Sequence, residues 1–507
     1  MPSVPISRAI DVKFEVSWQG SADTYVDETA RLVSARGALE IVPTNEIMQG
    51  GRQIIQKASV VLNNTDYRYS PYNTTGPLYA YISTGAYYLK PARLWVQIDG
   101  GAWQSVFKGY VKLPEESYGS AQVTLTLFDL CELLRKRYST GILRDYLEHD
   151  LVIHYLKDVA GLIDGTHFVS PSWAASHPGT SATIAVSNTK VPFSWLDDEA
   201  IWDELVEIGQ ASGGRIYVDA SGFIHFDKGW SWFVNQGAAE TITISRTADL
   251  QPKYRDVDFY DEVVVEYSPR TVGGRMIVFT HDSQFYVYPG DEDELILKFQ
   301  WPVYLLDAIV PGTTFQVLGP NGTNLLPYVN VTVESYAQQA KIKINNTSSE
   351  IVHIPRFDLY GTPLVGAPTN QVKRQINPAA TSGRRLEVRG NPYIQDKSQA
   401  AQVANFLQWW HKTRKLSYTV SRLRGNPARA LGKQLRVMDG STVIDSFLDR
   451  TGIITKIDFT IQVNPETRTV RFEQTIDVLE NAFLNAGDLF FIVGTHSWGA
   501  ADKVLWH

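Results

Sequence analysis

Residues 122–127 read Gln-Val-Thr-Leu-Thr-Leu, so Val123, Leu125 and Leu127 point one way and Gln122, Thr124 and Thr126 the other. A period of two marks a strand with one buried face. The same alternation recurs at residues 12–18 (VKFEVSW) and 94–98 (LWVQI). After Ile98, the string Asp99-Gly100-Gly101 reads as a tight hairpin turn, and SVFKGYV carries the meander onward. Residues 1–125 are therefore expected to form one antiparallel barrel or sandwich.

The period then changes. In DLCELLRKR, Asp129 is placed to cap a helix whose Leu130, Leu133 and Leu134 share a face. HDLVIHYLKDVAG predicts a second short helix with Ile153, Leu156, Val159 and Ala160 inward and Gly161 as its stop. Beyond a polar link at 170–190, a third helix packs Trp202, Leu205 and Ile208 and ends at Gly213-Gly214. Asp219-Ala220-Ser221-Gly222 then turns a hairpin. Residues 126–250 read as an α+β module.

Strands return at EVVVEY (262–267), RMIVF and LILKFQW, and 310–370 is rich in Pro and Gly. One good helix follows, with Asp396 as cap of KSQAAQVANFLQWWHKTR and Gln399 at the capping-box position. GKQLRVMD, TGIITKIDFTIQV and RTVRFEQTIDV close the pattern. A chain of 507 residues is too long for one core. Aromatics at 12%, with 13 Trp and 25 Tyr, suit broad β surfaces and interfaces.

Composition excludes several functional classes. A net charge of −7 argues against a dedicated nucleic-acid binder. A single cysteine, Cys131, excludes an intrachain disulfide framework, a cysteine-only zinc site and an iron–sulfur cluster. No apolar run approaches the length of a membrane span, and folding in a reducing cytoplasm is expected.

Chemistry finds little foothold. His149 and His154 are five apart, so a helix does not stack them as metal ligands. Asp197-Asp198-Glu199 reads better as first-turn acids favouring a helix dipole than as glycosidase carboxylates. Asp291-Glu292-Asp293-Glu294 lacks the glycine and closing glutamate of a calcium loop and reads as a solvated acidic turn. Trp410 falls on the Val403, Phe406 and Leu407 face, leaving Trp409 the freer ring. The Asn-x-Ser/Thr triplets at Asn63, Asn73, Asn321, Asn330, Asn345 and Asn346 sit at turns or strand ends, where Asn serves backbone conformation. No catalytic residue, metal ligand or cofactor is assigned.

Several blocks, in order, resemble the tail hub (minor tail or baseplate hub) proteins of long-tailed phages and related injection particles. They are Leu62-Asn63-Asn64 with TDYRYSPYN, GPLYAYISTG, RLWVQI and FKGYV; LTLFDLCELLRKRYSTGI with IHYLKDVAGL; EAIWDELVEIGQASGGRIYVDASGFIHF; DVDFYDEVVVEYSPR; and NPYIQDKSQAAQVANFLQWW with GKQLRVMD and the closing strands. Residues 170–190, much of 275–385, and 482–507 match nothing in that pattern.

The resemblance implies a mainly β chain with an α+β module: two tube-like antiparallel β-barrels, a helix-plus-hairpin module between them, and a β-rich insertion. The expected blocks are 1–125 (first barrel), 126–250 (linker module), 251–275 (start of the second barrel), 276–385 (insertion), 386–480 (helix and remainder of the second barrel) and 481–507 (extension). The implied assembly is a homotrimer at the distal tip of a virion tail, folded beforehand in the host bacterial cytoplasm. Its implied partners are the distal tail or tail tube protein, the tape-measure protein, and tip, fibre or spike proteins. DNA would pass only in transit, and the chain would not insert in a membrane. Tyr67, Tyr69, Tyr72 and Trp409 are the expected interface residues. A carbohydrate- or receptor-binding tail-tip protein is the alternative, and an enzyme (glycosidase or peptidase) stands behind it.

Overall fold

The computed structural model describes residues 8–480 except 20–23, 41–55, 71, 80–88, 113–120, 228–239, 245–249, 255–259, 282–283, 311, 313, 377–382, 412–415 and 440–448. The extension at 481–507 and Pro71 lie outside the described residues, as does the Trp410 side chain.

Seven strands come from the N-terminal alternating region: β1 (Ile10–Val16), β2 (Val26–Asp27), β3 (Leu32–Glu40), β4 (Lys57–Asn63), β5 (Lys90–Ile98), β6 (Gln104–Val111) and β7 (Gln122–Phe128). Six more arrive later: β8 (Glu240–Ile244), β9 (Leu250–Tyr254), β10 (Leu416–Arg424), β11 (Gln434–Asp439), β12 (Asp449–Val463) and β13 (Val470–Glu480). All belong to one 13-stranded sheet in the order β9-β10-β13-β12-β3-β4-β7-β6-β5-β1-β2, with β11 joined to β12 and β8 to β11. The chain is mainly β, as the alternation predicted. Among the described residues, no strand pairing closes either group into a barrel.

The joint between the two groups is β12. It has 15 residues, which at about 3.3 Å each span roughly 50 Å. One edge is paired with β13 from Gly452↔Glu480 to Val463↔Val470. The other edge is shared. β11 takes its first part, ending at Gln434↔Ile453, and β3 takes the second, from Glu40↔Lys456 to Ser34↔Gln462. Alternation sends Ile457, Phe459 and Ile461 into the core beside Leu39 and Ala35. Gly37 sits opposite Phe459, where an added Cβ would lie 2.6 Å from the phenyl ring, so only glycine leaves room for it. The opposite face is polar: Ser34, Arg36 and Ser59 stand beside Thr126, Thr460 and Gln462.

The module between the groups departs from expectation in detail. Asp129 caps its helix by accepting from the Cys131 backbone N–H at 3.0 Å, but Leu130–Arg135 winds as a 3-10 helix. Glu148–His154 is α-helical and continues into a π turn, Tyr155–Val159, stopped by Gly161 at φ 70°. In Ile201–Ser212, Trp202, Leu205 and Ile208 are buried, and Gly213 ends the helix in the left-handed conformation. The acids Asp197, Asp198 and Glu199 are not in its first turn. They lie in strand Asp197–Ala200, paired with Arg137–Ser139, because Asp198 at φ 53° makes a bulge there and Ala200 is still extended. The first-turn acids are Asp203 and Glu204.

The hairpin Arg215–Val218/Ile224–Asp227 turns at Gly222 and wedges between the two strand groups. Gln56 Nε2 donates to Val218 O at 3.0 Å and Ser105 Oγ to Ala220 O at 2.5 Å on one side. On the other, the Arg215 guanidinium packs over Gly432 so closely that a Cβ there would stand 2.6 Å from it.

Residues from Val278 to Leu359 build a second, separate hydrophobic cluster. Here Glu292–Lys298 is a strand rather than the acidic turn read from sequence. Pairing with Gln339–Asn346 places Glu294 beside Lys341 at 2.8 Å, and these cross-strand ion pairs let an acidic run stay extended. The turn lies just upstream, where Asp291 N–H donates to Tyr288 O. The strand Glu262–Tyr267 also stays out of the large sheet, pairing with Asn370–Gln375 and Arg385–Val388. Asp396 caps Lys397–His411 through the Gln399 N–H at 2.8 Å, and the Gln399 side chain reaches back to accept from the Gln395 N–H at 3.4 Å, one residue short of a standard capping box, while donating to Ala211 O at 3.2 Å.

Candidate assembly site

The segment after β4 is a shaped loop whose conformation is dictated residue by residue. Asn63 Oδ1 accepts from the Thr65 N–H at 2.9 Å, Asn64 Oδ1 from Tyr69 N–H at 3.0 Å, and Asn73 Oδ1 from Thr75 N–H at 3.1 Å. These turns are the conformational use of Asn expected at Asn63 and Asn73. Tyr67 is left-handed at φ 54°, and its carbonyl accepts from Asn73 Nδ2 at 3.1 Å. Gly76 closes the loop so tightly that a Cβ would fall 2.3 Å from Arg68 O.

What anchors the loop is a buried carboxylate far away in sequence. Glu28, 3% exposed, accepts from Trp18 Nε1 at 2.9 Å, from Tyr69 Oη at 2.7 Å and from an Arg68 nitrogen at 3.0 Å. Three donors and one opposite charge offset the cost of burying the acid. Burial and the adjoining carboxylate hold the Tyr69 phenol far above its ordinary pKa. At the rim, Arg31 grips Asp66 with both nitrogens at 2.7 and 2.6 Å, pulling that carboxyl down to about 2.

This arrangement divides the three tyrosines. Tyr69 is fully buried, so it is a structural keystone and is not available to a neighbour. Tyr67 at 55% and Tyr72 at 83% exposure project outward. Trp409, expected to be the freer ring of its pair, is half-buried and packs on the main core beside Phe406 at a centroid distance of 5.8 Å. Glu28 was invisible to sequence reasoning. In Asp-Glu-Thr-Ala it looks like an ordinary solvated acid, and its partner Tyr69 is 41 residues away.

A second buried polar group lies in the module. Tyr393 Oη donates to Glu204, and Ser194 Oγ bridges Tyr393 and Tyr155. Burial raises the Glu204 carboxyl well above the carboxylate range. Glu148, hydrogen-bonded by Ser187 Oγ at 2.7 Å, is pushed by burial to about 7. His149 Nδ1 accepts from Ser187 N–H at 3.2 Å, a satisfied buried histidine. Among the described residues, no three His, Cys, Asp or Glu side chains are grouped to hold a metal, and no helix is long and apolar enough to cross a membrane.

No family model and no curated protein matches the chain. Solved structures do. A tail protein from Neisseria meningitidis MC58 is 11% identical, with 93% of this chain and 96% of that one covered at a TM-score of 0.44. The 43 kDa tail protein of prophage MuSo2 from Shewanella oneidensis is 10% identical over 94% and 99% of the two chains, at 0.45. An E. coli component of the type VI secretion system, described as structurally similar to T4 phage tail proteins, is 8% identical over 88% and 73%, at 0.38. All three likenesses are loose and span most of this chain.

Proposed function

We propose that this chain is a structural, non-enzymatic protein of a phage-like tail: the trimeric hub at its distal end. The observation that carries the reading is the β12 joint. Strands from residues 10–128 and from 240–480 continue one another in a single sheet, and in the proposed assembly one polypeptide would supply both halves of a two-lobed wall. Three such chains would offer six lobes, a geometry that adapts a sixfold tail tube or distal tail ring to threefold tip components. The lobes correspond to the two tube-like barrels implied by the sequence resemblance, and the 215–227 hairpin, wedged against both, is their brace.

In this assembly the polar face of the joint lines the channel. Its charges are balanced locally: Lys456 pairs with Asp458 at 3.2 Å and Arg471 with Glu473 at 2.6 Å. A wall of short hydroxyl side chains, where Arg36 stands among paired charges, would give DNA and the tape-measure protein no sustained grip. Tyr67 and Tyr72 are assigned to contacts between neighbouring subunits, and Trp409 to a secondary contact. The mass and symmetry of the purified chain, alone and with its tail partners, test the reading. A threefold ring with a central channel is expected; a monomer under both conditions overturns it.

A further inference from the structure

The second hydrophobic cluster carries an unusual amount of exposed ring surface at one end. Tyr286, Tyr288 and Tyr328 are 49%, 58% and 51% exposed. Tyr286 lies opposite His353 in the ribbon formed by Phe285–Val287 and Val352–Ile354, its ring stacked on the imidazole at 5.0 Å and 15°. Its hydroxyl donates to Gln284 Oε1 at 2.6 Å, so both ring plane and tilt are fixed while half of the residue stays open. Tyr288 follows the strand directly and opens the turn in which Asp291 N–H donates to its carbonyl. Asn346 ties the neighbouring backbone together: its amide donates to Val287 O at 3.0 Å, its backbone pairs with Val329, and Thr347 N–H beside it donates to Tyr328 O at 2.8 Å.

The loops around these rings have a distinct chemistry. Residues 288–291 (YPGD), 319–328 (GPNGTNLLPY) and 345–351 (NNTSSEI) supply amides, hydroxyls and two carboxylates, with no Lys or Arg. A phosphate-bearing ligand would need cations here. An apolar protein face would leave the amides unpaired. A neutral sugar satisfies both elements, since a hexopyranose has an apolar ring face for the tyrosines and an equatorial rim of hydroxyls for the amides. Rings held rigid before binding lose little entropy when they are covered.

We propose that this end of the 278–359 unit is a binding site for a neutral oligosaccharide of hexopyranose units, with Tyr286 and Tyr288 as its stacking surface and Tyr328, Gln284 and Asn324 at its rim. The site is independent of the hub reading, because none of these residues belongs to the large sheet.

The test uses the full-length protein on an array of neutral hexasaccharides (α-1,4- and β-1,4-glucose, β-1,3-glucose, β-1,4-galactose and β-1,4-N-acetylglucosamine), followed by calorimetric titration. Saturable binding to at least one is expected. It should weaken at least tenfold in Tyr286→Ala and in Tyr288→Ala, and by less than threefold in Tyr286→Phe, which keeps the ring and loses the Gln284 bond. Thermal melting of each variant and the oligomeric mass are measured on the same samples, so loss of fold or of assembly is distinguished from loss of the site. No saturable binding at millimolar sugar, or binding indifferent to both alanine variants, overturns the proposal. Tyrosine-dependent capture of a tail protein without any sugar binding overturns it as well.

Discussion

The large sheet and the 278–359 unit use similar amino acids to opposite ends. In the sheet, the buried aromatic residues include Phe14, Phe107 and Phe459, and the outer face of the joint carries Ser, Thr, Gln, Arg36 and the Lys456–Asp458 pair. In the smaller unit the core is aliphatic, drawn from Val, Leu and Ile with Phe299 and Phe315, while its tyrosines face solvent. The contrast separates two jobs. In the proposed readings the first surface lines a conduit and the second receives a ligand. The smaller unit touches the α+β module: Ala337 N–H donates to Thr140 O at 2.8 Å, Gln339 Nε2 to Ser139 Oγ at 2.8 Å, and Phe193 meets Tyr304 edge-on at 6.4 Å. With contacts this local, the two cores are expected to melt separately.

The largest effect is expected in the sheet. Phe459→Ala removes a ring that is 2% exposed at the junction of both strand groups, and should cost about 3–5 kcal/mol in denaturant unfolding. Leu359→Ala in the smaller core, fully buried, should cost about 2–5 kcal/mol, but hydrogen exchange should show the loss confined to residues 278–359. If Leu359→Ala loosens the large sheet equally, the two regions are one cooperative body and the comparison fails.

Glu28→Ala should cost about 3 kcal/mol, because Arg68, Tyr69 and Trp18 each lose a buried acceptor. Its signature is local: quenching of Trp18 fluorescence should change, and exchange should rise in 64–78 before it rises elsewhere.

A pH prediction follows from Glu148. Its folded pKa of about 7 lies above the ordinary value of 4.5, so the folded state holds the proton more tightly than the unfolded chain. The stabilisation is full below the ordinary value and is lost as pH rises toward the folded one. Stability of the module should therefore fall between pH 4.5 and about 7, and Glu148→Gln should flatten that slope in urea titrations. A slope of the same steepness in the variant would shift the cause to Glu204, Asp129 or Glu207, which burial also raises.

The smallest stability change belongs to Tyr67→Ala with Tyr72→Ala. Both rings are exposed, so the monomer should lose no more than about 0.5 kcal/mol, while ring formation with tail partners is impaired. Intact assembly in this double variant would remove the tyrosines from the proposed interface.

Local rules made much of this molecule readable. The alternation of Val123, Leu125 and Leu127, the Asp99-Gly100 turn at φ 50° and 70°, the stop at Gly213 and the cap at Asp396 emerged where the residues placed them. Each depends on neighbours within a turn or a hairpin, and such information is local in the chain. Errors arose where a distant partner decided. Asp197–Glu199 became a strand because Arg137–Ser139 lay ready to pair, and Glu292–Glu294 stayed extended because Lys341 and Lys343 stood across the ladder. Tyr69 looked like its neighbours Tyr67 and Tyr72 until Glu28 drew it inward.

The sequence by itself determined the β character, the position of the helical module, and the turn chemistry of residues 63–76, since propensity and periodicity act over a few residues. Only the tertiary structure decided that β12 divides its edge between β11 and β3, that Glu28 locks the tyrosine loop, and that Tyr286 stacks on His353 at the surface of a separate core. Those outcomes rest on pairings between residues tens to hundreds of positions apart, where burial, strand register and the satisfaction of buried polar groups are settled together and no local pattern records the result.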